Sequence, residues 1–164
     1  MPSLGEIRDA IQAAHERDQS GPYDGIAPFL ADEVLTLHEP SFPNDGVQDG
    51  ARLAAFLPLE RQAMDAALVD RRMDVTFECV QPDRIVMKGE MSGVFAHDGS
   101  EMHKPIHVEW RVAGGRITKY VVYVGAAETM DGYRQQQEAF NSPAVKPIFD
   151  QMMALLRHPQ EIGL

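Results

Sequence analysis

The sequence holds one cysteine, Cys79, and one tryptophan, Trp110. A lone cysteine excludes an internal disulfide, and its place in the apolar-rich stretch 73–80 marks it as a buried core thiol rather than a nucleophile. Basic residues are scarce: 15 Lys and Arg against 25 Asp and Glu leave a formal charge of −10. Such a balance repels phosphate backbones and anionic lipid headgroups, which excludes nucleic acid and membrane as expected partners. No apolar run approaches membrane-spanning length, and residues 1–6 have neither the basic region nor the apolar core of a secretion signal. A cytoplasmic, reducing location is the expectation. Repeats, low-complexity tracts and Pro/Gly/Ser-rich linkers are missing too, so residues 1–164 are expected to form one domain.

What is present is an ordinary globular balance, 44 % hydrophobic and 24 % charged over 164 residues, enough for one substantial core. Ser3 and Glu6 have capping-box spacing, and Leu4, Ile7, Ile11 and Ala14 recur with helical period until Gly21-Pro22. Residues 24–31 read as a short second helix and 34–38 as a first strand. The turn formers of 39–46 follow as a loop. Asp49 can cap a third helix through Leu53, Phe56 and Leu57, which Pro58 should end or kink before a helical pattern resumes over 60–69.

From residue 73 the period becomes two. Alternating segments at 73–79, 85–96, 102–112 and 116–125, joined by turns at 81–83, 97–100 and 113–115, predict an antiparallel meander. Helices return over 131–140 and, after Ser142-Pro143, through Ile148, Phe149, Met152, Leu155 and Leu156. Helices, then strands, then helices make an α+β class.

Several strings in this order carry a resemblance: Asp24-Gly25-Ile26 with Phe29-Leu30-Ala31-Asp32-Glu33, His38-Glu39-Pro40 leading to Gly50, and Pro105-Ile106 through Trp110-Arg111-Val112-Ala113-Gly114-Gly115-Arg116-Ile117. Together they resemble the ketosteroid-isomerase/SnoaL-like family of the nuclear transport factor 2-like superfamily, over residues 3–127. The resemblance implies a strongly curved antiparallel sheet forming a cone closed by the N-terminal helices, with an apolar cavity inside. Residues 128–164 then form an additional C-terminal helical segment.

The same resemblance implies a small-molecule pocket protein, a cofactor-independent isomerase, cyclase or dehydratase acting on a small apolar carbonyl compound, with no cofactor. A non-catalytic apolar-ligand-binding protein or a dimeric accessory protein is the alternative, and a homodimer pairing through the outer sheet face is the expected assembly. Glu39 matches the family's acidic-residue-Pro base. The family's two oxyanion donors do not recur: Ala14 stands at the tyrosine position and Val108 at the aspartate position, and neither side chain can donate a hydrogen bond. His15, His38 and Tyr23 are the nearest substitutes, and Phe77, Val108 and Trp110 are expected to line the ligand.

Along 106–112 the alternation sets Ile106, Val108, Trp110 and Val112 against His107, Glu109 and Arg111, an apolar and a polar face. His103 and His107 have metal-like spacing, but on a strand they stand about 13 Å apart, so no metal site is expected. Met87, Met91, Met102, Met130, Met152 and Met153 suit either an adaptable lining or simple gap filling. The last helix reads equally as a lid or as an extension of the core.

Overall fold

The computed structural model describes residues 1–18, 21–42 and 45–156. The capping box forms as read: Ser3 N donates to Glu6 Oε2 at 2.7 Å and Glu6 N to Ser3 Oγ at 3.2 Å, opening α1, Leu4–Asp18. Ile7 and Ile11 of α1 are fully buried. The second helix is shorter than expected. It spans only Tyr23–Ile26 (α2) and passes through a 3₁₀ turn, Ala27–Phe29, into β1, Leu30–Glu39, which starts earlier than the sequence suggests.

A short strand, β2, Gly46–Asp49, lies where a loop and cap were expected and pairs antiparallel with β1. Asp49 then caps α3, Gly50–Ala67, accepting from Arg52 N at 3.0 Å. Contrary to expectation, Pro58 does not end α3. Buried Leu53 and Leu57 before it and Ala63, Met64 and Ala67 after it bind both halves to one core. That packing outweighs the roughly 3 kcal/mol a mid-helix proline costs.

The meander follows as β3, Leu68–Val80; β4, Arg84–Phe95; β5, Glu101–Ala113; and β6, Arg116–Tyr123. Helices α4, Ala127–Phe140, and α5, Lys146–Leu155, complete the elements of the described residues. One six-stranded sheet results, in the order β2-β1-β6-β5-β4-β3. Its meander is antiparallel as predicted, but β1 joins β6 in parallel, making the sheet mixed. Parallel neighbours need a long connection between them, and here everything from β2 to β5 lies between β1 and β6.

Two backbone features shape the inner face. A register shift between Val69 and Arg72, with Asp70 at φ 53°, inserts a bulge that leaves Val69 exposed and turns the Arg71 side chain, 3 % exposed, toward the interior. Opposite Val75, Gly89 at φ 155° lets the two strands approach so closely that a Cβ there would lie 1.9 Å from Asp74 O. The α+β class stands, with the N-terminal helices and α4 on one face of the sheet.

Candidate functional site

Sheet register decides which side chains meet inside. Met73 pairs with Met91 and Met91 with Lys104, while Phe77 pairs with Met87, Met87 with Val108 and Val108 with Val122. Paired residues share a face, so Lys104 stands in the apolar row. Pro105, beside it, lies in the half of β5 that precedes the β6 pairing, which begins at Val108↔Val122. A proline is tolerated at such an unpaired edge. Helix α4 crosses there.

Inside are two adjoining lobes. The first, about 70 Å³, is lined by Tyr23, Met64, Met73, Met87, Lys104 and Val108, among others. The second, about 140 Å³, carries His38, Asp45, Leu53, Phe56, Leu57 and Leu156 on its wall. Glu60, Tyr120, Val122 and Tyr133 border both. Glu60, Tyr120 and Tyr133 are half-buried, the area they keep being cavity wall.

Lys104 is only 3 % exposed. Its stem runs beneath Gly132, where an added Cβ would come within 2.9 Å of three of its carbons. Its Nζ donates to Gln136 Oε1 at 2.8 Å and sits 3.9 Å from the centroid of the Tyr133 ring. On α4, Gln136 is a neighbour of Gly132 at i+4 and of Tyr133 at i+3, and the three together hold this one side chain.

Burial pushes the Lys104 ammonium down to about 7, against the opposing pull of Glu60. Burial also pushes the Glu60 carboxyl up to about 7, with Lys104 and then Arg71 working the other way. Two groups that feel each other in this way titrate as a pair. Burial raises the phenols of Tyr23, Tyr120 and Tyr133, and the Glu60 charge adds to it in each case. They remain protonated, and so remain donors. Arg71 is hydrogen-bonded to Tyr23 and donates to Asp65 Oδ1 at 2.6 Å.

The second lobe contains a histidine–carboxylate pair. Asp45 Oδ1 is 2.6 Å from His38 Nδ1, and its Oδ2 accepts from His38 N at 2.8 Å and Phe42 N at 2.9 Å. The ring stacks on Phe42 at 4.0 Å. Through this contact Asp45 fixes the orientation of the His38 ring. Asp45→Ala is expected to lower stability by about 1–3 kcal/mol, because two backbone donors and a ring lose a charged acceptor. Chemical denaturation measures it.

The sequence candidates are placed unevenly. His38, Tyr23 and Val108 line the cavity. Glu39 does not: it ends β1, is exposed and borders neither lobe, so the position implied by the resemblance puts no base at the cavity. His15 is buried outside both lobes, on the wall of a separate pocket; its Nδ1 accepts from Gly21 N at 3.2 Å, and it tilts against Phe77 at 5.7 Å. Phe77 and Trp110 belong to the core cluster and border neither lobe, Phe77 lining the separate pocket beside His15. Ala14 packs against α2, where a Cβ on Gly25 would be 2.5 Å from its own.

Met87 and Met91 line the first lobe, whereas Met102 and Met152 pack in the core. Cys79 is half-buried with its Sγ 3.7 Å from Leu4 O. His103 reaches Glu90 at 2.9 Å and His107 stacks on Tyr123 at 4.2 Å, both outside the cavity. Helix α5 packs on α3, with Arg52 Nη2 donating to Ala154 O at 2.8 Å, and Leu156 just beyond it closes the second lobe.

No family model matches the sequence, and no curated protein matches it. Solved structures do. A nuclear transport factor 2-like protein from Burkholderia thailandensis superposes with a TM-score of 0.60 at 16 % identity, covering 81 % of this chain and 98 % of its own. A candidate polyketide cyclase from Xanthomonas campestris gives 0.54 at 19 % identity, with 79 % and 96 % covered. An epoxide hydrolase from M. tuberculosis gives 0.53 at 17 % identity, with 85 % and 97 % covered. Likeness at this level concerns the fold, and the proteins that share it differ in chemistry.

Proposed function

This chain has the nuclear transport factor 2-like fold, and on it we propose a cofactor-independent enzyme that moves a proton at the carbon beside a carbonyl group. The carrying observation is the pair Glu60 and Lys104, both brought to about 7 in one cavity. A general base works best with a pKa near the operating pH. Glu60 therefore takes the base role that the resemblance gives to Glu39.

Removing the α-proton leaves negative charge on the carbonyl oxygen. Tyr120 and Tyr133, at the junction of the lobes with Glu60, are the phenols that stabilise it by donation. Tyr23 adds a third donor on the first lobe. His38, oriented by Asp45, stands in the second lobe as an acid for a leaving hydroxyl or for return of the proton. Isomerisation, cyclisation and dehydration share that first step. Size narrows the substrate: a cavity of about 150 Å³ accommodates benzene, so a second lobe of about 140 Å³ suits a single ring.

Hydrogen–deuterium exchange tests this even while the natural substrate is unidentified. Small cyclic ketones and enones in heavy water are followed by proton NMR, and the protein is expected to accelerate loss of the α-hydrogen signals. If ring-sized ketones bind by ligand-observed NMR yet exchange no faster than in buffer, the chain is a binding protein and the enzymatic reading fails.

A further inference from the structure

We propose that Lys104 is a nucleophile, its amine condensing with the carbonyl carbon of a small aldehyde or ketone in the cavity to form an imine. The inference rests on the proton-transfer reading above and names how the substrate is held. The geometry around Nζ is the starting point. Among the described residues it meets one acceptor, Gln136 Oε1, and one π-face, Tyr133, and both contacts are of the kind made through N–H bonds.

A neutral amine has two N–H bonds and one lone pair. It can keep both contacts and still present that pair to the lobe Lys104 lines. The stem is fixed under Gly132, so the nitrogen is positioned before a substrate arrives.

The step balances within the cavity. The nitrogen lone pair adds to the carbonyl carbon while the π pair moves to oxygen, which a tyrosine phenol stabilises, and proton transfer from nitrogen to oxygen gives a neutral carbinolamine. As the C–N double bond forms, the C–O bond breaks and the hydroxyl leaves as water with the proton of the Glu60 carboxyl. Neutral amine, protonated Glu60 and carbonyl compound become an iminium cation, the Glu60 carboxylate and water. The carboxylate can then remove the α-proton of the iminium, giving an enamine and restoring protonated Glu60. No oxidant or metal is consumed.

Reductive trapping tests the imine. The folded wild-type protein is treated at pH 7 with cyclohexanone or butanal and sodium cyanoborohydride, and peptide mass spectrometry follows the label at each of its four lysines, Lys88, Lys104, Lys119 and Lys146. An ordinary solvated lysine is well under about 0.1 % free amine at pH 7, whereas burial keeps a large share of Lys104 as free amine. Lys104 is expected to label at least about tenfold faster than the other three. Loss of that preference on unfolding in urea would confirm that the cavity causes it.

Label spread over the other lysines with Lys104 last would overturn the inference, and no variant is needed to see it. The two readings separate cleanly. If Lys104→Met retains α-hydrogen exchange, the proton-transfer enzyme stands and the imine falls; adduct at Lys104 without accelerated exchange leaves the imine and removes the enzyme.

Discussion

Replacing Glu60 with glutamine is expected to slow α-proton exchange by about 100- to 10,000-fold, the span usually lost with a general base. Glutamine keeps the shape and an acceptor oxygen but cannot accept the substrate proton. Folding should survive, since the change removes a carboxyl whose charged form burial opposes. The pH profile supplies a check that a mere packing effect would not reproduce. Between full protonation of both groups and full deprotonation, Glu60 and Lys104 share one proton, so the wild-type rate should be a bell centred near pH 7.

Any exchange that survives in Lys104→Met, the outcome that overturns the imine, should follow a single rise with a higher midpoint in place of the bell, because Lys104 is the first of the charges holding Glu60 down and only Arg71 would remain. The phenols of Tyr23, Tyr120 and Tyr133 also face this pair, but they stay protonated throughout the window. An unchanged rate in Glu60→Gln would remove the assigned base.

Neither member of the pair emerges from the sequence reading, although each leaves a trace in it. Leu53, Leu57 and Met64 form a stripe at helical spacing, and Glu60 falls within it at the seventh position from Leu53. A carboxylate in an apolar stripe is the kind of local conflict that marks functional positions. The expected break at Pro58 hid it by dividing one helix into two.

Lys104 is concealed differently. The alternation Ile106, Val108, Trp110 reaches it two residues earlier, but Pro105 and the metal-like spacing of His103 and His107 draw attention to the opposite face. The clamp of Gly132, Tyr133 and Gln136 is legible only once α4 is known to cross the β5 edge, a long-range fact no local pattern carries. The meander, the capping box and the helical tail were readable because each rests on short-range periodicity. The parallel β1–β6 pairing was not, since it depends on how distant segments return to the sheet.

Joint replacement of the pair, Glu60→Gln with Lys104→Met, is expected to stabilise the fold by about 1–4 kcal/mol, as apolar or neutral substitutes for buried ionic groups often do. The gain should depend on pH in a way that identifies its source. The folded-state pKa of Glu60 is raised, so its stabilising contribution is complete below 4.5 and is lost as pH climbs to about 7. The folded-state pKa of Lys104 is depressed, so its contribution is complete above 10.5 and is lost as pH falls to about 7. Both losses meet near neutrality, where the wild-type protein should be least stable relative to the double variant. Subtracting the two denaturation profiles cancels groups they share, including His15, whose pKa burial lowers. A difference curve peaking near pH 7 would show that the cavity holds these two groups at a cost in stability, the expected mark of residues kept for chemistry rather than packing. A flat difference would mean that neither group is displaced by burial, and the basis for assigning them a proton-transfer role would be gone.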